Sequence, residues 1–107
     1  MYDFRRTGEF IRFCKQLAKK NQTKHSVLRE RFYNLLENPY SNTGFLKGPL
    51  RGKRSDRNGD TRFIFAVCEE CRKLGHSRVN SCMNCDENPD KTIIFFSTGL
   101  RENVYKK

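Results

Sequence analysis

Apolar side chains recur at helical spacing in two consecutive segments near the start of the chain. The first, residues 8–21, follows Thr7, whose hydroxyl can cap a helix N-terminus. The second follows Thr23 and stops at Asn38-Pro39, because a proline cannot continue a helix. The pattern predicts a helical hairpin. Its apolar stripes are Phe10, Ile11, Cys14, Leu17 and Ala18 in the first helix and Leu28, Phe32, Leu35 and Leu36 in the second.

Segments typical of β-strands flank this helical pair. A short strand, residues 2–6, precedes it, and β-branched and aromatic residues predict strands over residues 61–67 and 92–97. The Asn58-Gly59 pair favours a hairpin turn between a basic arm, residues 51–57, and residues 61–67, while residues 40–52 have the composition of an ordered loop. We expect one α+β domain over all 107 residues, an antiparallel sheet in the order β-α-α-β-β-β with the helical hairpin on one face.

Four cysteines form two CxxC pairs in the connection between the last two predicted strands. Cys68 and Cys71 are separated by ten residues from Cys82 and Cys85, a spacing that suits tetrahedral Zn²⁺. Four thiolates leave no open coordination position, so we expect a structural zinc that clips residues 68–91. A pair of disulfides is the alternative. His76, between the pairs, is predicted to be a loop residue, and Cys14 to pack in the first helix.

The chain is strongly basic, with 22 lysines and arginines against 12 acidic residues. A field of this sign attracts polyphosphates, so nucleic acid is the favoured partner class, and a solvated basic surface is the alternative. Residues 68–91 contribute five acidic and four basic residues, so the zinc clip is not the expected phosphate site. The predicted phosphate footprint lies around the hairpin, at Lys47, Arg51, Lys53, Arg54, Arg57 and Arg62.

The sequence offers no element that would place the protein in a membrane. The first ten residues include charged side chains and no apolar core of a signal peptide, and the longest apolar run, residues 63–68, is too short to cross a bilayer. We therefore expect a soluble, cytoplasmic protein.

Three stretches together resemble the RelE/ParE superfamily of toxins from toxin–antitoxin pairs. They are Leu35-Leu36-Glu37-Asn38-Pro39 at the end of the second helix, the segment from Leu46-Lys47-Gly48 through Thr61-Arg62-Phe63-Ile64-Phe65, and Gly99-Leu100-Arg101-Glu102-Asn103-Val104-Tyr105. The resemblance covers nearly the whole chain except the cysteine segment. It implies a RelE-like fold in which residues 68–91 are a zinc-binding insertion between the last two strands.

This resemblance also implies an activity and a set of site residues. RelE-like toxins cleave mRNA on the ribosome without a metal, by attack of the RNA's own 2′-hydroxyl. By position, Arg62 is similar to the arginine that clamps the scissile phosphate, Arg101 to the arginine that stabilises charge or protonates the leaving oxygen, and Tyr105 to the aromatic residue that orients a base. Lys53 is the candidate to assist deprotonation. Lys47, Arg51, Arg54 and Arg57 are the expected RNA contacts.

Other functions fit parts of the same pattern. A ParE-like inhibitor of DNA gyrase and a non-catalytic RNA-binding zinc protein are the alternatives, although Arg62, Arg101 and Tyr105 favour the nuclease. Thr61 and Leu100 depart from the residues usual in the family, which bears on proton transfer more than on RNA contact. The expected inhibitor is a small antitoxin with an acidic segment that covers the basic groove.

Overall fold

A computed structural model describes residues 1–56, 61–75 and 87–100. Within these residues, five strands form one sheet in the order β1-β5-β4-β3-β2, and three helices accompany it. The strands are β1 (Asp3–Arg6), β2 (Thr43–Phe45), β3 (Arg54–Asp56), β4 (Thr61–Val67) and β5 (Thr92–Leu100). The helices are α1 (Gly8–Lys20), α2 (Gln22–Glu37) and α3 (Cys68–Leu74), with a 3₁₀ turn at Gly48–Leu50. The predicted α+β class with a helical hairpin is confirmed.

The helical hairpin begins and ends on polar caps. Thr7 caps α1 as predicted, its hydroxyl accepting a hydrogen bond from the Phe10 amide at 3.3 Å. Asn21 separates the two helices and caps α2 by accepting from the Lys24 amide at 3.0 Å. The prediction that α2 follows Thr23 was therefore wrong, because the asparagine side chain already supplies the cap. Among the described helices, none has the length and apolar character needed to cross a membrane.

The core lies between the helical hairpin and one face of the sheet. Aromatic rings dominate it: Phe10 stacks on Phe63 with a centroid distance of 5.8 Å, and Phe32 lies 4.7 Å from Phe95. The predicted helical stripes are confirmed at Phe10, Leu28, Leu35 and Leu36, which are buried in this core, and at Cys14, Leu17 and Phe32, which pack against it. The buried core residues are Phe10, Leu28, Leu35, Leu36, Phe63, Phe65, Val67, Ile93 and Phe95.

The sheet is mixed, which corrects the antiparallel arrangement expected from the sequence. β1 pairs in parallel with β5, from Asp3 opposite Thr92 to Arg6 opposite Phe95, while the other neighbouring strands are antiparallel. β1 and β5 are the first and last strands in sequence, so their parallel pairing joins the two ends of the described fold. The sequence also missed β2, because its three residues lie in a glycine-containing loop and owe their strand geometry to pairing with β3.

One buried ion pair ties the helices to the β3–β4 hairpin. Asp56 is 3% exposed and pairs with the Arg31 guanidinium of α2. Its second oxygen accepts from the Phe63 amide at 2.8 Å. Arg31 also donates to the Thr61 carbonyl at 2.7 Å, so one guanidinium binds both strands of the hairpin. Losing either charge would leave the other buried without its partner.

We therefore predict that Asp56→Asn lowers the free energy of unfolding by about 3 kcal/mol, since it leaves the buried Arg31 charge uncompensated. Asp3→Asn removes the same charge from an exposed position in β1 and should change stability by less than about 0.5 kcal/mol. Urea denaturation followed by circular dichroism measures both variants. Equal midpoints for the two would show that the pair contributes nothing to the fold.

Candidate nucleic-acid interface and cysteine helix

The basic cluster predicted around the hairpin is divided between the two faces of the sheet. Arg54 lies opposite Phe65 in the β3–β4 register, and Phe65 belongs to the core beneath the helices. Because side chains alternate along a strand, Arg54 and Asp56 both face the helical side. Asp56 confirms this orientation through its contact with Arg31 of α2.

Arg54 is held on that side by a bidentate ion pair. Its Nε and one terminal nitrogen each donate to a different Glu70 oxygen at 2.8 Å, and both side chains are 14% exposed. The guanidinium also lies 4.2 Å from the Phe45 ring centroid and 5.0 Å from that of Tyr40. A charge paired and stacked in this way serves the fold, and releasing it would leave the Glu70 carboxylate without its partner.

Lys53 and Arg62 are directed to the other face. Arg62 precedes the buried core residue Phe63 in β4, and it lies opposite Gly99 of β5. Strand alternation therefore points Arg62 away from the helices. Lys53 extends over Phe96, a β5 residue outside the core cluster, with its Nζ 4.8 Å from the ring centroid. Two predicted catalytic cations thus share the sheet face that the helical hairpin does not cover.

The other predicted RNA contacts lie beside this face or outside the described residues. Lys47 and Arg51 flank the 3₁₀ turn, and both are exposed. The turn is closed by a hydrogen bond from the Arg51 amide to the Gly48 carbonyl at 3.1 Å. Arg57, Arg101 and Tyr105 lie outside the described residues.

The first cysteine pair opens a helix. Cys68 and Cys71 are 3% and 5% exposed, and their spacing along α3 places both thiols on one side of it. The Cys71 sulfur lies 3.9 Å from the Gly52 carbonyl oxygen. Two buried thiols on one side of a helix fit half of a four-thiolate zinc site. His76, Cys82 and Cys85 lie outside the described residues, and residues 1–56, 61–75 and 87–100 by themselves bring together no three metal-binding side chains.

The two glutamates between these cysteines connect α3 to the rest of the fold. Glu70 binds Arg54, and one Glu69 oxygen accepts hydrogen bonds from the Tyr2 hydroxyl at 2.7 Å and the Tyr40 hydroxyl at 2.9 Å. Burial, reinforced by the Glu69 carboxylate, raises the pKa of both tyrosines. In the sequence, Glu69 and Glu70 contributed only negative charge to the predictions. Their position between two cysteines does not indicate which residues they bind.

Cys14 packs against the core from α1, as predicted, and burial raises the pKa of its thiol. A buried thiol of raised pKa is a poor nucleophile and a poor metal ligand at neutral pH.

No known family model and no curated protein matches the sequence, but its fold matches solved toxin structures. The toxin–antitoxin complex RelBE2 of Mycobacterium tuberculosis aligns with a TM-score of 0.63 and 19% identity over 94% of this chain and 98% of its own. The YoeB/ParE toxin of Agrobacterium tumefaciens gives 0.65 and 12% over 92% and 98%. YafQ of Escherichia coli gives 0.63 and 17% over 98% and 99%. The chain therefore has the fold of RelE-like toxins.

Proposed function

We propose that this protein is the toxin of a type II toxin–antitoxin pair and cleaves mRNA on the ribosome. The observation that carries the proposal is the placement of Lys53 and Arg62 on the sheet face away from the helices, in a fold shared with RelBE2, YoeB/ParE and YafQ toxins. That face presents two cations to RNA, Arg62 in β4 and Lys53 directly before β3. The sheet is a rigid support for positioning a phosphate.

The proposed chemistry is an in-line displacement at phosphorus. The RNA's 2′-hydroxyl loses its proton and attacks the adjacent phosphate, forming a 2′-oxygen–phosphorus bond and breaking the bond to the 5′-oxygen. Arg62 holds the phosphate and, with Arg101, stabilises the negative charge that develops there. Lys53 donates a hydrogen bond to the 2′-oxygen and stabilises its charge as the proton passes to water, and Arg101 delivers a proton to the departing 5′-oxygen. Tyr105 stacks on a base and fixes the angle of attack.

The RNA strand on either side of the cleavage point needs contacts that are independent of sequence. Lys47 and Arg51, which are exposed, and Arg57 supply them in this proposal, because cations near the catalytic face can follow a phosphate backbone. Arg54 is not included. Its guanidinium is paired with Glu70 and packed between two rings, so releasing it to RNA would leave a buried carboxylate alone.

The proposed partner is a small antitoxin with an acidic segment. A surface that attracts phosphates also attracts carboxylates, so such a segment can cover the face of Lys53 and Arg62 and exclude RNA. RelBE2 is named as a toxin–antitoxin complex, which fits this partner class. Ordering of the segment on binding would bury the same cations that the RNA uses.

A structural zinc on Cys68, Cys71, Cys82 and Cys85 completes the proposal. The two described thiols share one side of α3, and Gly75 ends that helix in the left-handed conformation with φ of 76°. When bound, the metal would join α3 to the second cysteine pair. Glu69 would then hold the clip against Tyr2, just before β1, and Tyr40, after α2, and Glu70 would hold it against β3, close to the loop that carries Lys53.

We predict that translating ribosomes trigger cleavage of mRNA to a 2′,3′-cyclic or 3′-phosphate end. Arg62→Ala and Arg101→Ala should each slow the reaction by about 100-fold, because each removes charge stabilisation in the transition state. Lys19→Ala, which removes an exposed charge from the last turn of α1, is the matched control and should keep full activity. Primer extension on a purified translation system measures all three variants.

Full activity in both arginine variants would remove these residues from the mechanism. Inhibition of DNA gyrase without any cleavage of ribosome-bound mRNA would instead assign the protein to the ParE-like alternative.

We also predict one zinc ion per chain in protein purified under reducing conditions. Cys82→Ser should reduce the zinc content to near zero, since three thiolates bind far more weakly than four, while Cys14→Ser should retain it. Elemental analysis by mass spectrometry provides the measurement. A full complement of zinc in Cys82→Ser, or a disulfide in the wild type, would contradict the four-cysteine site.

A further inference from the structure

A cavity of about 350 Å³ lies on the helical side of the protein, away from Lys53 and Arg62. It is bounded by α1, α2, the end of β1 and the start of β4. Cavities of a few hundred cubic ångströms are typical of small-molecule sites. The residues around it are Arg6, Phe10, Cys14, His25, Leu28, Arg29, Phe32, Tyr33 and Phe63.

The floor of this cavity is apolar. Phe10, Leu28 and Phe63 are between 0% and 4% exposed and belong to the core cluster. Phe32 packs against two of them, with its ring 6.1 Å from Phe10 and 6.4 Å from Phe63. The floor is already closed to water, so the apolar area that a ligand can cover belongs to the half-buried Phe32 and to Tyr33, which is 46% exposed.

Its rim is basic and has no acidic residue. The ion pairs among the described residues engage Arg31, Arg54 and Arg72, each with its own carboxylate. Arg6 and Arg29, in contrast, pair with no carboxylate within residues 1–56, 61–75 and 87–100. Arg29 lies only over the Tyr33 ring at 5.8 Å. The two arginines around one opening repel one another, and an anion relieves that repulsion.

The apolar floor and the basic rim together determine which class of ligand the cavity can bind. A nucleotide phosphate would satisfy the arginines, but Phe10, Leu28 and Phe63 offer its base no hydrogen-bond partner, and the polar lining besides the arginines is limited to Cys14, His25 and Tyr33. An alkyl or aryl body with a single carboxylate needs only an apolar contact and the arginines. We propose that this cavity binds a small organic acid, with the hydrocarbon against Phe32 and Tyr33 and the carboxylate between Arg6 and Arg29.

The test uses 4-phenylbutyrate and its neutral counterpart 4-phenylbutyramide as probes on the full-length protein, by calorimetry and by chemical-shift mapping. We expect saturable binding of the acid, with shifts centred on α1 and α2, and affinity weaker by about tenfold or more for the amide, which lacks the charge-assisted contact. Cys14→Leu should weaken binding of the acid as well, because the larger side chain occupies the cavity.

Two double variants with the same change in net charge make the assignment specific. Arg6→Gln with Arg29→Gln should weaken binding of the acid by about tenfold or more, whereas Arg5→Gln with Arg12→Gln, at exposed positions outside the cavity, should leave it unchanged. Equal loss in both variants would reveal general attraction to a basic surface and overturn the proposal. So would equal affinity for acid and amide, absence of saturable binding, or cavity shifts produced by a single-stranded RNA oligonucleotide instead.

Discussion

The ion pair between Arg54 and Glu70 is the constraint on which the arrangement of this protein depends. Both groups are largely removed from solvent, and two aromatic rings flank the guanidinium, so neither charge is satisfied without the other. Arg54 directly follows Lys53, and Glu70 directly precedes Cys71. The pair therefore ties β3, which directly follows the candidate catalytic Lys53, to the helix that carries two candidate zinc ligands.

The basic residues in and around the β3–β4 hairpin fall into two groups, one on each face of the sheet. On the helical side, Glu70 neutralises Arg54 and Asp56 neutralises Arg31, so these arginines support the fold. On the other side, Lys53 and Arg62 lie where strand alternation directs them, beside the exposed Lys47 and Arg51. Strong positive charge in a sequence thus does not identify a nucleic-acid surface until each cation is assigned to a face.

Local patterns predicted the elements that local forces determine. Helical spacing and the Thr7 cap defined α1, and the aromatic and β-branched run defined the whole of β4. The sequence could not show that β1 pairs in parallel with β5, or that a three-residue segment would become β2, because both depend on partners distant in the chain. The pairing of Arg54 with Glu70 could not be predicted from the sequence for the same reason. A count of basic residues does not record on which side of a strand each one lies, and a shift of one residue reverses it.

Arg54 uses its charge inside the fold, and a double-mutant cycle measures this directly. The cycle compares the unfolding free energies of the wild type, Arg54→Met, Glu70→Gln and the double variant. We predict a coupling energy of about 2 kcal/mol, with the double variant more stable than the sum of the single losses implies. Additive effects, within about 0.3 kcal/mol, would show that the two side chains do not stabilise one another and would return Arg54 to the set of cations available to RNA.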